Sequence, residues 1–149
     1  SATTMSRMLT QFTFGLYASP GYLTQNPIKT EDNSYLDHRY IGMSLLNLHD
    51  RQWVHEKTQE RKQFQFSAPK WQINNYSSLR QFVLADAGLA VLENYIAGPL
   101  VDNEQLIRIA PEWKVNAGKA ALVWPSSRYL KPSVRAFIDH MTKDASANT

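Results

Sequence analysis

Cysteine is absent from this chain, and its absence limits the chemistry the chain can carry. None of the 149 residues is Cys, so disulfide bonds, thiolate metal ligands and cysteine nucleophiles are excluded. The absence fits a reducing cytoplasm, which is the location we expect, without requiring it.

Long apolar runs and a strong charge imbalance are also lacking. No segment approaches the roughly 20 apolar residues of a membrane-spanning helix, and the N-terminus has no basic-then-apolar signal layout. The 16 basic and 13 acidic residues are interspersed, whereas a DNA-binding face gathers basic residues on one helix or stripe. With 43% hydrophobic residues, the chain is expected to be a soluble globular domain that contacts neither membrane nor DNA.

Catalytic motifs are missing as well. The sequence has no Gly-x-Ser-x-Gly elbow, no phosphate-cradling Gly loop and no dinucleotide fingerprint. Its four His residues form neither an HExxH motif nor a two-His-plus-carboxylate spacing on one helix face; they are His38, His49, His55 and His140. We therefore expect no enzyme activity, no catalytic residue, no metal site and no cofactor.

Strand and helix patterns alternate along the first half of the chain. Alternating apolar residues predict a strand over residues 11–18, and Ser19-Pro20 supplies the N-cap and first turn of a helix that reaches Gln25. Residues 40–43 and 70–74 are predicted strands. Between them, residues 48–68 are predicted to form a hairpin, or a loop-tipped pair of strands, with its polar run at the tip.

The second half continues the alternation. Leu79, Phe82 and Val83 form the apolar stripe of a helix, which Gly88 is predicted to end in the left-handed conformation. The remaining predicted elements are a doubly buried strand at 89–92, a helix from Glu93 stopped by Gly98-Pro99, strands at 106–109 and 120–124, and a last helix from Lys131 or Pro132. This order predicts an α/β sandwich around a largely parallel sheet.

Three segments together resemble the effector-binding domain of LysR-type bacterial transcriptional regulators. They are DAGLAVLENYIAGPLVDNEQLIRIAPEW at 86–113, ASPGYL at 18–23, and WPSSR at 124–128 followed by PSVRAFID at 132–139. They occur in the order and at about the spacing of that family, from about Thr4 to Met141. The resemblance implies a Rossmann-like α/β fold of the type-2 periplasmic-binding-protein kind.

The resemblance also implies a domain layout and a set of partners. Residues 1–149 would be a single, partial effector-binding domain, with the second subdomain at about 19–118. Residues 1–18 and 119–149 would be the crossing strand and the return into the first subdomain. The expected partners are a small-molecule inducer and further copies in a homodimer or tetramer. DNA is expected to be contacted only through a helix-turn-helix domain that is absent here, because nothing before Ser1 resembles it.

A second class of protein shares the implied fold, namely a solute-binding protein for transport. A signal or lipoprotein sequence upstream would favour that alternative, whereas an upstream helix-turn-helix would favour the regulator. The chain is expected to be a piece of a longer protein, and this piece is expected to lack one wall of the ligand cleft.

Ligands of open α/β sheets bind beyond the carboxyl ends of the strands, where the following helices point their unpaired first-turn N–H groups. This rule selects three candidate positions: Met43-Ser44, Asn74-Asn75 and Leu92-Glu93. In the family, residues at these strand ends line one wall of the inducer cleft. Asn74 is the strongest single candidate, either as a ligand contact, as a helix N-cap or as both.

Two residues depart from the family pattern. Glu93 stands where Pro is common, and it is either a charge at a helix N-terminus or a cleft-facing group. In the second case it would disfavour a carboxylate inducer and favour a cationic or neutral one. Glu104 replaces a common Gly, and Asn103 nearby can adopt the left-handed conformation, so the turn can be kept.

Overall fold

The computed structural model describes residues 13–29, 34–43, 50–69 and 71–116. Its strands are β1 (Thr13–Ala18), β2 (Ser34–Tyr35), β3 (Ile41–Met43), β4 (Gln52–His55), β5 (Arg61–Gln63), β6 (Gln65–Phe66), β7 (Trp71–Ile73), β8 (Ala90–Glu93), β9 (Ile107–Ile109) and β10 (Trp113–Asn116). Its helices are α1 (Pro20–Gln25), α2 (Tyr76–Leu84) and α3 (Asn94–Asp102). The strand predicted at 120–124 and the last helix lie outside the described residues.

The sheet is centred on β1. This strand pairs antiparallel with β8 on one side and with β9 and β10 on the other. Beyond β10, the antiparallel β4–β5 hairpin extends the sheet. Beyond β8, a parallel bridge between Tyr40 and Leu89 leads to the parallel pair of β3 and β7. None of the helices in the described ranges has the length and apolar character needed to cross a bilayer.

The prediction of a largely parallel sheet is wrong for the described residues, although the α/β class is confirmed. Five strand pairs are antiparallel and two are parallel. The helical connections do make β7, β8 and β9 run in one direction, but β1 lies between β8 and β9 and runs against both. The apolar run at 89–92 correctly indicated burial on both faces, and burial carries no information about strand direction.

The short helix α1 begins and ends as predicted. Ser19 is its N-cap, with Oγ accepting a hydrogen bond from the Tyr22 backbone nitrogen at 3.1 Å. Pro20 takes the first helical position, where its missing N–H has no cost. The Ser19 hydroxyl also donates to Asp86 Oδ1 at 2.6 Å, which ties the start of α1 to the loop before β8.

The predicted hairpin is confirmed, and its aromatic side chains face the core. The stacked rings of Trp53 and Phe64 have centroids 4.4 Å apart, and both residues are buried. The polar tip between β4 and β5 is exposed. The rest of the core joins the two faces of the central sheet to α2 and α3; its fully buried members include Phe14, Leu16, Ile41, Leu79, Leu89, Leu92 and Leu106.

Three local predictions are corrected by the backbone. α2 ends at Leu84, and Asp86 takes the left-handed conformation with φ 66°. Gly88 therefore does not end the helix. A glycine is needed there because a Cβ would overlap the carbonyl oxygen of Arg39. α3 continues through Pro99 to Asp102, and Glu104 rather than Asn103 is left-handed, with φ 62°.

Candidate functional site

The strand ends selected from the sequence lie along one edge of the sheet. Met43 is the register partner of Ile73 in the parallel β3–β7 pair, so Asn74 follows directly beside it. The parallel bridge of Tyr40 to Leu89 places Met43 level with Leu92 on β8. Three carboxyl ends therefore meet at one edge, which we call the strand-end edge: Met43, Asn74 and Glu93. Ser44 lies outside the described residues.

Asn74 and Asn75 have different surroundings. The Asn75 side chain is the N-cap of α2 and accepts a hydrogen bond from the Ser78 backbone nitrogen at 3.0 Å. The Asn74 side chain is exposed and makes no hydrogen bond to any described residue. The capping role thus belongs to Asn75, which leaves the amide of Asn74 available to solvent or to a ligand.

Glu93 is a buried N-cap. Its Oε1 accepts from the Tyr95 backbone nitrogen at 3.0 Å, and its Oε2 accepts from that of Ile96 at 2.8 Å. Only 2% of the residue is exposed. Burial raises the pKa of this carboxyl above its ordinary value, although the two backbone hydrogen bonds act in the opposite direction. The carboxylate therefore occupies the N-terminal N–H groups of α3, and the preceding Leu92 side chain is fully buried.

Tyr76 connects α2 to the end of β8. Its hydroxyl oxygen accepts a hydrogen bond from the Glu93 backbone nitrogen at 2.9 Å. The residue is buried, and this burial raises the pKa of its hydroxyl far above the ordinary value. The phenol is therefore neutral, and it fixes the position at which β8 turns into α3.

A second group of polar residues lies along β1, from Thr13 to Tyr17, and was not predicted from the sequence. The Tyr17 hydroxyl donates to Asn94 Oδ1 at 2.6 Å, and Asn94 Nδ2 donates to Thr13 Oγ1 at 3.0 Å. A Cβ on Gly15, which lies between the two β1 residues, would be 2.6 Å from Asn94 Oδ1 and 2.8 Å from Arg108 Nε. Its signal in the sequence is that every second position of β1 is polar or small, whereas the predicted strand rested on the apolar positions between them.

Arg108 completes this polar group from β9. It opposes Tyr17 across the β1–β9 pair, and its Nη2 donates to the Trp113 carbonyl oxygen at 3.1 Å. Burial raises the pKa of Tyr17 to about 12, although the nearby Arg108 guanidinium acts in the opposite direction. Arg108 Nε is buried and has no hydrogen-bond partner among the described residues.

The His, Asp and Glu side chains of the described ranges do not gather into a metal site. No three His, Asp or Glu side chains there lie close enough together to hold a metal ion. His55 Nε2 lies 3.0 Å from Glu112 Oε2 where β4 enters the hairpin turn, and His38 contacts the hydroxyl of Tyr22. Each imidazole thus has a local structural partner.

Comparison with known proteins gives a consistent result. A family model described as the LysR substrate binding domain matches residues 5–146. The chain is 29% identical over 124 residues to the HTH-type transcriptional regulator PtxR of Pseudomonas aeruginosa, covering 83% of this chain and 39% of that protein. It is 30% identical over 128 residues to an HTH-type transcriptional regulator of Haemophilus influenzae, covering 85% and 43%. The chain thus spans about two fifths of the length of these relatives.

The fold also has counterparts among solved structures. The regulatory domain of AphB in Vibrio vulnificus superposes with a TM-score of 0.59 at 18% identity, covering 89% of this chain and 65% of that one. At this identity the likeness concerns the fold, which is an α/β fold of the type-2 periplasmic-binding-protein kind.

Proposed function

Because the chain belongs to the LysR substrate-binding domain family, we propose that it is the ligand-sensing part of a transcriptional regulator. The single observation that carries the proposal is the convergence of three strand ends and two helix N-termini at the strand-end edge. Ligands of open α/β sheets bind in such a place because unpaired N–H groups and helix dipoles point there. The proposed contacts are Met43, Ser44, Asn74, Asn75, Leu92 and Glu93.

These residues would contribute in different ways. Asn74 supplies a free amide, which can both donate and accept hydrogen bonds. Leu92 has a buried side chain, so it would contribute only its backbone. Asn75 and Glu93 shape the edge by capping the helices that begin there.

Glu93 also bears on the class of inducer. An anionic ligand placed at a helix N-terminus gains from the first-turn N–H groups, but at α3 two of these groups already bond to the Glu93 carboxylate. A carboxylate inducer would have to displace that group, and it would be repelled by it. We therefore infer that α3 favours a neutral or cationic inducer over an acidic one.

The proposed mechanism is a shift in population between two arrangements of the full-length protein. The second wall of the cleft would come from the first subdomain, with residues 19–118 forming the second subdomain and 1–18 and 119–149 forming the crossing strand and the return. An inducer that binds one arrangement better shifts the equilibrium towards it. In a homodimer or tetramer, that shift would change the spacing of helix-turn-helix domains elsewhere in the full-length protein, and so its contact with DNA.

A thermal-shift screen of the full-length protein tests this function. Small neutral, cationic and acidic metabolites are compared, since a ligand that binds only the folded state raises its apparent stability by mass action. We expect a neutral or cationic hit whose effect is lost in Asn74→Ala and kept in Gln81→Ala, an exposed change on α2. A hit that is unaffected by Asn74→Ala would overturn the assignment of the strand-end edge.

A further inference from the structure

A second pocket lies at the other end of the sheet from the strand-end edge. It has a volume of about 490 Å³, which is within the usual range of roughly 300–1,000 Å³ for small-molecule sites. Its lining residues come from the end of α1 and from the segment before β3: Gln25, Asn26, Pro27, Lys29, Ser34, Leu36, Asp37 and His38. His38 precedes β3 and Met43 ends it, so the two sites are roughly 15 Å apart along the strand.

The imidazole of His38 is held in one orientation at the base of this pocket. The residue is 9% exposed, and its Nδ1 lies 3.0 Å from the Tyr22 hydroxyl. That hydroxyl accepts a hydrogen bond from the Arg39 backbone nitrogen at 3.1 Å. Because the Arg39 N–H already donates to this oxygen and Nδ1 is the other described partner of the hydroxyl, we assign the hydroxyl as donor and Nδ1 as acceptor.

This assignment determines which ring nitrogen carries the imidazole proton. A ring that accepts at Nδ1 and is neutral carries its proton on Nε2. Burial lowers the pKa of His38, which favours the neutral ring. The described hydrogen bond of the ring is made by Nδ1, so the Nε2–H is the donor that this assignment leaves for a ligand, in a residue that lines the pocket.

Two opposite charges accompany this donor. Lys29 and Asp37 both line the pocket, and both lie near enough to His38 to act on its titration, the carboxylate of Asp37 raising its pKa and the ammonium of Lys29 lowering it. An ammonium and a neutral N–H donor can together hold a carboxylate. The carboxylate of Asp37 can hold an ammonium on the same ligand.

The apolar part of the lining consists of Leu36 and Pro27, beside the polar side chains of Gln25, Asn26 and Ser34. Leu36 is 55% exposed and lines the pocket together with Pro27. A large apolar side chain left in water at the rim of a polar pocket gains free energy when a ligand covers it.

We propose that this pocket, which we call the His38 pocket, binds an α-amino acid with an apolar side chain. Lys29 and His38 Nε2 hold the carboxylate of the ligand, Asp37 holds its ammonium, and Leu36 and Pro27 contact its side chain. The site is separate from the proposed inducer cleft, and it does not depend on the function proposed for that cleft.

NMR titration of the chain with three probes of one shape tests the proposal. The probes are L-leucine, 4-methylpentanoate without the ammonium, and 3-methylbutylamine without the carboxylate, and the signals followed are the ring nitrogens of His38. L-leucine is expected to shift them saturably, with each of the other probes binding at least about tenfold more weakly, since each lacks one charge-assisted contact. No saturable shift, or equal binding of the acid or the amine, would overturn the proposal.

Variants separate the proposed contacts from general effects on the fold. Lys29→Gln and Asp37→Asn are expected to weaken L-leucine binding about tenfold or more, while the matched control Lys57→Gln at the exposed hairpin tip leaves it unchanged. Because both pocket positions are exposed, the amide spectra of the variants should match that of the parent chain. Unchanged binding in both pocket variants, or an equal loss in Lys57→Gln, would contradict the assigned roles.

Discussion

The carboxylate of Glu93 lies 2.8 Å from the backbone nitrogen of Ile96 and closes the N-terminus of α3. A residue that stands where the family often has Pro thus supplies an internal anion for the helix. This single contact connects the fold to the proposed specificity, because the N–H groups that would attract an acidic ligand are already bonded. It also makes the Glu93 carboxyl a buried titratable group with a measurable effect on stability.

The first prediction concerns the pH dependence of stability. Burial raises the pKa of Glu93 above its ordinary value of 4.5, so the folded state holds this proton more tightly than the unfolded state does. The contribution of Glu93 is therefore fully present below pH 4.5 and is lost as pH rises through the folded pKa. In urea unfolding at a series of pH values, Glu93→Gln should gain stability relative to the parent chain as pH rises across this window. Parallel pH profiles for the two proteins would contradict the assignment.

The second prediction concerns Tyr76. Removing its hydroxyl in Tyr76→Phe leaves the Glu93 backbone N–H buried without that acceptor, which should lower the free energy of unfolding by about 1–3 kcal/mol. Tyr95→Phe is the matched control, since Tyr95 is 43% exposed and its hydroxyl bonds to no described residue. Urea unfolding of the two variants should separate them clearly. Equal losses would mean that the Tyr76 hydroxyl has no special role.

Helix caps and the hairpin could be predicted from the sequence because their signals are local. Ser19 stands directly before Pro20 and is the N-cap of α1, whereas the cap of α2 is Asn75, one residue after the Asn74 favoured from the sequence. The aromatic residues around the polar run likewise predicted the β4–β5 hairpin. In each case the determining contacts lie within a few residues along the chain.

Strand direction and the polar group on β1 could not be predicted in this way. The direction of β1 relative to β8 depends on pairing between Phe14 and Glu93, which are far apart in sequence. The hydrogen bond from Tyr17 to Asn94 spans 77 residues, and neither residue belongs to a recognisable motif. Glu93 itself was seen as a departure from the family, but its burial depends on how α2 and α3 meet the sheet.

The third prediction compares two glycines. Gly15→Ala would place a Cβ 2.6 Å from Asn94 Oδ1 and 2.8 Å from Arg108 Nε, so the polar group above β1 has to move, at a cost of about 1–3 kcal/mol. Gly98→Ala meets no atom within 4 Å outside its chain neighbours and its own helix backbone. The helical preference for Ala over Gly is offset there because Pro99 disfavours a helical residue with a Cβ before it, so little net change is expected. Thermal unfolding should show a loss of stability in Gly15→Ala and a much smaller change in Gly98→Ala. Equal losses in the two variants, or no loss in Gly15→Ala, would contradict the packing described.

The fourth prediction concerns the turn before β9. Glu104 is left-handed, with φ 62°, a conformation that costs a residue with a Cβ roughly 1 kcal/mol or more. Glu104→Gly should therefore stabilise the chain by about 0.5–1 kcal/mol. Gln105→Gly, at the next and equally exposed position, should destabilise it because glycine adds freedom to the unfolded chain. Urea unfolding checks both signs, and a loss in Glu104→Gly would show that its side chain stabilises the turn.

The most direct test of the account is a crystal structure of the full-length protein with the inducer that thermal-shift screening identifies. We predict that the inducer lies at the strand-end edge, within about 4 Å of Asn74, and that the Glu93 carboxylate still bonds to Tyr95 and Ile96. An inducer bound elsewhere, with the strand-end edge empty, would contradict the proposed function. An acidic inducer seated on the N-terminus of α3 in place of Glu93 would contradict the proposed specificity.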